Sequence, residues 1–297
     1  MFSRQIMIKV LMSLCLAAAV LTSVIVSNST VSAKEPLGRT WSAGQYVSMD
    51  EVDHSVYDQL LQKYVDQNGM VNYSAWHASA ADRKSLQQYL LRLSQASPGV
   101  KSSRAGQLSF WINAYNAVTI EGIMQVYPTT SIRNHTPKLA GYNIWTDLPL
   151  LVGGKPHSLE AIEHQILRKM NEPRIHFAIV CASVGCPRLL SEAYTAERLE
   201  DQLVLNTTDF FSRSQNFRVN KSGNIQVSAI LDWFGKDFGE THQAQFTTLQ
   251  RYLPKNAQQL AVSPRTRVEF LEYNWSLNEQ RVARTTGGAA KKGSGQR

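Results

Sequence analysis

Apolar positions between residues 49 and 280 switch repeatedly between helical and strand spacing. Val52, Val56, Leu60, Leu61 and Tyr64 recur at helical intervals within Met49 to Val65, and Asp66-Gln67-Asn68-Gly69 supplies a stop. The spacing predicts a second helix over Ala81 to Ser94 and a third over Ala105 to Val126. That third segment is apolar on nearly every side, as expected of a helix at the centre of a domain, and Pro128 ends it. Between Tyr142 and His157 the pattern shortens to strands, with Val152-Gly153-Gly154-Lys155 as a hairpin turn. Ser158 is placed to cap a helix running to about Met170, closed by Pro173. Arg174 to Cys181 then reads as an apolar strand and Thr195 to Phe211 as an amphipathic helix. Phe217 to Val219 and Ile225 to Val227 flank Lys221-Ser222-Gly223-Asn224, a second hairpin. Short helices follow to about Leu260, and Arg267 to Tyr273 returns as a strand. Strands separated by helices in this irregular order predict an α+β protein, a helix-rich single domain around a small mixed or antiparallel sheet.

The two ends change the picture. Arg4 and Lys9 precede an almost uncharged apolar run, Val10 to Val26, and Val31-Ser32-Ala33 offers small residues for cleavage, so residues 1 to 33 read as a secretory signal peptide. The expected location is periplasmic or secreted; the alternative is an uncleaved anchor, because the run is nearly long enough to span a bilayer. Of the formal +8, two units come from Arg4 and Lys9 and five from Arg281, Arg284, Lys291, Lys292 and Arg297, which leaves residues 34 to 280 at about +1. A near-neutral body argues against a nucleic-acid partner. Residues 281 to 297, rich in Gly, Ala, Lys and Arg, are expected to be a disordered basic tail with at most a weak association with the envelope. Residues 34 to 280 contain no repeat and no Pro- or Ser-rich linker, and are expected to form one domain.

Chemistry concentrates where the strand predicted over Arg174 to Cys181 ends. Cys181 and Cys186 enclose only Ala182-Ser183-Val184-Gly185, with His176 upstream and Pro187 and Arg188 downstream. Three readings stay open: a structural disulfide, a nucleophilic thiol at Cys181 with Gly185 letting backbone approach a substrate, and zinc held by both cysteines with His164 and His176, whose spacing matches no common zinc motif. Asn113, Asn116 and Ile120 share a face of the central helix, so the two carboxamides either tie loops to the core or orient a catalytic group. In the helix after Ser158, Leu159, Ile162 and Ile166 define an apolar face from which Glu163 also projects, with His164 on its flank; Glu163 is either paired, for instance with Arg174, or handles a proton. Regular strand alternation would point His176 away from Cys181, which makes His164 the better imidazole partner. No Gly-rich phosphate loop, zinc-protease helix or serine-hydrolase elbow occurs, and no cofactor is called for.

The blocks FWINAYNAVTI (Phe110 to Ile120), VGGKPHSLEAIEHQILR (Val152 to Arg168), PRIHFAIVCASVGCPRL (Pro173 to Leu189) and YNWSLN (Tyr273 to Asn278) together resemble the domain of unknown function 547 family. The resemblance implies no agreed reaction; relatives in which a similar domain accompanies a glutaredoxin domain point to thiol chemistry by association. The chain has Val180 where relatives often carry Asn, and Asn274 where Asp is common. The leading expectation is an exported cysteine-dependent hydrolase or acyl transferase acting on a peptide, amide or thioester. Cys181 would be the nucleophile, His164 the base, and Glu163 or Asn116 its orienter, with Arg188 binding an anionic substrate group and Asn113 and His176 also binding substrate. The rival is a non-catalytic envelope or binding protein in which Cys181 and Cys186 form a structural disulfide.

Overall fold

The computed structural model describes residues 35–136 and 142–280, which fall within one compact unit; the expected leader and the basic tail lie outside the described residues. The first half is helical: α1 (Ser55–Tyr64), α2 (Tyr73–Ala78), α3 (Ala80–Leu93) and α4 (Arg104–Val126). The continuous helix expected from Met49 to Val65 is broken. Met49–Glu51 is a separate 3-10 turn in which the Ser48 hydroxyl accepts from Asp50 N and Glu51 reaches back to Ser48 N. Asp53 Oδ1 then accepts from Ser55 N at 2.9 Å, so local side chains satisfy the backbone and the helix restarts at Ser55. The six-residue α2, capped by Asn72 on Ala75 N, is too short to leave a helical period in the sequence.

Helix α4 begins at the Ser103 cap and is buried almost throughout from Gly106 to Met124, the central position its apolar composition predicts. α3 and the helix over residues 159–170 pack against it. Ahead of that helix, β1 (Leu150–Val152) and β2 (Lys155–His157) form the expected hairpin, and Gly153 and Gly154 both take positive φ (59° and 73°), the conformation a two-residue turn demands. Ser158 caps the 159–170 helix on Ala161 N, but its middle, Ala161–Leu167, winds as a π-helix. The extra residue per hydrogen-bonded ring moves the buried face: Leu159, Ile162 and Leu167 are buried, while Ile166 is only half-buried.

The strand expected over Arg174 to Cys181 does not form. Pro173–Phe177 is a 3-10 turn, and the chain then runs to Cys181 without a neighbouring strand. Glu172 accepts from Arg174 N and also pairs with the Arg174 guanidinium, which Glu200 holds from the other side. An apolar run buried on all sides looks the same in sequence whether or not a ladder flanks it. The remainder comprises α5 (Leu199–Ser212), α6 (Ile230–Phe234), α7 (His242–Leu249), α8 (Gln258–Ala261), and a sheet of β3 (Phe217–Val219), β4 (Ile225–Ser228) and β5 (Val268–Leu271). β3 and β4 pair antiparallel as the second expected hairpin, while β4 and β5 run parallel. The sheet is therefore mixed and the fold a helix-rich α+β arrangement. Buried apolar residues form two clusters, one around α4 and one between the sheet and α5 to α7, and Tyr273 packs against both. Among the described residues no helix is long and apolar enough to cross a membrane.

Candidate active site at the seam of the two cores

Two buried carboxamides on α4 fix the chain that leads to the cysteines. Asn116 Oδ1 accepts from Val180 N at 2.9 Å and its Nδ2 donates to Ala178 O at 3.1 Å; Asn113 makes the same pair of bonds with Tyr194 N (2.9 Å) and O (2.7 Å). Each side chain thus supplies one donor and one acceptor, as a neighbouring strand would, to Ala178 and Val180 in the one case and to Tyr194 in the other, which satisfies backbone groups that would otherwise be buried unpaired. Asn206 on α5 similarly donates to Phe177 O. Asn113 and Asn116 therefore tie loops to the core, and neither orients an imidazole.

Beyond Val180 the backbone turns sharply, with Ala182 in the left-handed region at φ 57°. Residues 182 to 185 lie along residues 274 to 278: Asn278 N donates to Ala182 O, Val184 N to Ser276 O and Gly185 N to Asn274 O. The contact is close enough that a Cβ on Gly185 would sit 2.9 Å from Asn274 N and 3.0 Å from the Tyr273 ring. Gly185 admits the protein's own chain, where a substrate had been expected. Asn274 accepts from Ser276 N and so shapes this segment.

The result is a paired-thiol site. The Cys181 and Cys186 sulfurs lie 2.6 Å apart as free cysteines, with the Tyr273 hydroxyl 3.2 Å from Cys181 Sγ and 3.0 Å from Cys186 Sγ. Ser183 Oγ is 3.3 Å from Cys181 Sγ, and Cys181 N donates to Cys186 Sγ at 3.0 Å. Donation from Cys186, Ser183 and Tyr273 lowers the Cys181 pKa against the opposing effects of burial and of the Glu163 charge. Cys186 is raised well above the ordinary thiol value, first by burial and then by Cys181. The two thiols are therefore unequal, with Cys181 the half-buried one of lower pKa and Cys186 the buried one of higher pKa.

Cys181 and Cys186 open into a cavity of about 420 Å³ at the seam between the two apolar clusters. Trp233 and Phe234 from α6, together with Trp145, Tyr273 and Trp275, make it strongly aromatic, and Ile230 adds an aliphatic side chain; Trp233 is 45% exposed. Glu163 lines it and accepts from the Tyr115 hydroxyl at 3.1 Å. Arg174, the partner suggested by the sequence, is occupied by Glu172 and Glu200. His164 and His176 also line the cavity; the strand expected to set the direction of His176 is replaced by a 3-10 turn, and His176 makes no hydrogen bond to Cys181. Both imidazoles belong to a different network. His176 stacks on Phe234 at 4.3 Å and bonds Asp237 Oδ2 at 2.8 Å, Arg168 holds Asp237 through two bonds of 2.7 Å, and Arg168 approaches His164 Nδ1 at 3.3 Å. The two guanidinium bonds and His176 hold the Asp237 carboxyl far below the usual range. No imidazole is among the hydrogen-bond partners of either sulfur, and no His, Cys, Asp or Glu group among the described residues is arranged to hold a metal.

Arg188 lies outside the cavity. It bonds Asn206 Oδ1 and Gln67 O and sits 3.6 Å from Asp209, where it fastens the far end of the cysteine loop to α5. Asp237, Tyr115, Trp233 and Tyr273 join the site without being among the residues the sequence points to. Tyr115 and Tyr273 lay within the quoted blocks, but Asp237 had no local signal, since its partner His176 is 61 positions away.

Comparison with known proteins places this geometry in a family context. No curated protein and no solved structure matches the chain. Residues 100–211 match the family model described as "Protein of unknown function, DUF547". The matched stretch takes in the central helix, the 159–170 helix and the whole cysteine loop, while YNWSLN lies beyond it and supplies Tyr273. Over residues 100–211, and not beyond, the chain is similar to the DUF547 family.

Proposed function

We propose that this protein carries out thiol–disulfide exchange, with Cys181 as the attacking thiolate and Cys186 as the resolving thiol. The observation that carries the reading is the pair of unequal sulfurs, in contact and sharing the Tyr273 hydroxyl, at the wall of an aromatic cavity. The Cys181 thiolate attacks one sulfur of a substrate disulfide, the substrate S–S bond breaks, and one substrate thiolate leaves. The Cys186 thiolate then attacks Cys181 Sγ, closes the intramolecular disulfide and expels the second substrate thiolate. The two thiol protons end on the two released thiols, and two electrons pass from protein to substrate; a dithiol reductant runs the cycle back.

Acyl transfer by Cys181, the expectation from sequence, requires a base at the sulfur. The sulfur's partners are a thiol and two hydroxyls, which suit a thiolate poised for exchange better than a thiol awaiting deprotonation. Export, if residues 1 to 33 direct it, would bring the pair to a compartment in which disulfides persist.

Trapping tests the assignment. Incubation of the Cys186→Ser chain with hydroxyethyl disulfide should accumulate a mixed disulfide at Cys181, whereas the unaltered chain should release both thiols and close its own disulfide. Cys181→Ser should do neither at a comparable rate. A mixed disulfide that forms on Cys186 as readily as on Cys181 would refute the roles assigned, and a native chain that hydrolyses a thioester through a trapped Cys181 acyl-enzyme would restore the acyl-transfer reading.

A further inference from the structure

We propose that the cavity selects substrates carrying a cationic group next to the disulfide, an inference that rests on the exchange reading above. The charged side chains lining the cavity, apart from its two histidines, are carboxylates, Glu160 and Glu163; among the described residues no lysine or arginine lines it. Arg168, whose guanidinium reaches His164 on the cavity wall, is committed to Asp237 by two 2.7 Å bonds and so presents little net charge. The same cavity is lined by the rings of Trp145, Trp233, Phe234, Tyr273 and Trp275. Aromatic faces are electron-rich and attract cations, most strongly when water is displaced. This cluster already does so at its margins, where the Arg133 guanidinium lies 5.2 Å over Trp275 and that of Arg168 lies 5.4 Å over Phe234.

Ring faces and carboxylates in one cavity reinforce each other. An ammonium or guanidinium gains from both, while a substrate carboxylate meets like charge in a site of reduced dielectric. Trp233 is the ring best placed to meet an incoming group, since it is 45% exposed, stacks at 5.7 Å on Trp275 and lies tilted at 4.9 Å from Tyr273, whose hydroxyl reaches both sulfurs. Residues 34 to 280 carry a formal charge of about +1, so a preference for cations reports the cavity and not the net charge of the body. The substrate class that follows is a basic one: a disulfide bordered by lysine, arginine or an amine.

Exchange rates of the full chain with three small disulfides test this: cystamine (dicationic), hydroxyethyl disulfide (neutral) and dithiodiglycolate (dianionic). Each rate is divided by that of a free uncharged thiol with the same reagent, which removes intrinsic reactivity. The cationic reagent should exceed the neutral one by about tenfold and the anionic one by more, at low ionic strength. Glu160→Gln, Glu163→Gln and Trp233→Ala should each shrink that ratio severalfold, whatever they do to the absolute rate. Equal ratios for all three reagents, or a preference for the dianion, in the unaltered chain would overturn the selectivity while leaving exchange intact. Failure of every reagent to react would overturn the exchange reading itself, and the selectivity with it.

Discussion

Cys181 and Cys186 differ in what surrounds each sulfur, and that difference is open to single substitutions. Donation to Cys181 from Cys186, Ser183 and Tyr273 should make it alkylate with an apparent pKa below the free-thiol value of about 8.5, and before Cys186. Tyr273→Phe removes one donor to the thiolate and should raise that apparent pKa. Glu163→Gln removes a negative charge that opposes the thiolate and should move it the other way. Rates of iodoacetamide labelling against pH, resolved by peptide mass, read both shifts; movement of the two variants in the same direction would contradict the electrostatic account. Asn116→Ala is a different kind of change. It leaves Val180 N–H and Ala178 C=O without partners in the core and should cost about 2 to 4 kcal/mol in denaturant melts. Near-native stability would mean that water or a backbone shift replaces both bonds.

At the scale of elements, the junction of α1 and α3 carries a pH dependence of known sign. His54, ahead of α1, pairs through Nδ1 with the Tyr89 hydroxyl of α3 at 2.7 Å, and burial pushes its pKa down to about 4. The unfolded imidazole titrates near 6.5, so between those values the unfolded chain binds the extra proton. The contribution of His54 is complete above about pH 6.5 and is lost as the pH falls toward 4, by at most about 3 kcal/mol. His54→Gln should flatten that part of the stability profile measured between pH 4.5 and 7.5; an unchanged slope would assign it to another group. Gly185→Ala tests the contact between the cysteine loop and residues 273 to 276. A methyl 2.9 Å from Asn274 N cannot be accommodated without moving Tyr273 or the loop, at a cost of roughly 1 to 3 kcal/mol. Elements whose signal is local were legible in the sequence: α4 by its all-round apolarity, both hairpins by their glycine turns, and the 159–170 helix by Ser158. Its π-helical middle was not, because an ideal helical wheel assigns Ile166 the place that Leu167 takes. The strand over residues 174 to 181 failed for a related reason, since its hydrogen-bond partners are side chains from α4 and α5.

Over the whole molecule, the site exists because two apolar cores meet. Cys181, Cys186, Tyr115 and Glu163 come from the region around α4, Trp233 and Phe234 from the one against the small sheet, and Tyr273 from the seam itself. The sequence pointed to the cysteine loop, Glu163, His164 and His176 because chemistry-bearing residues crowd a short stretch there. It misplaced Arg188 and omitted Asp237, because which side chain fills a cavity depends on contacts spanning 60 positions or more. The central claim is that the thiols on this seam form one redox unit. Its most direct test is equilibration of the native full chain with graded ratios of reduced to oxidised dithiothreitol, acid quenching, and measurement of mass after alkylation. The account predicts one two-electron transition, in which Cys181 and Cys186 change state together and each tenfold change in the equilibrium ratio corresponds to about 30 mV. Two cysteines that stay reduced and alkylate independently at every ratio, or a disulfide that no ratio reduces in the folded chain, would contradict it.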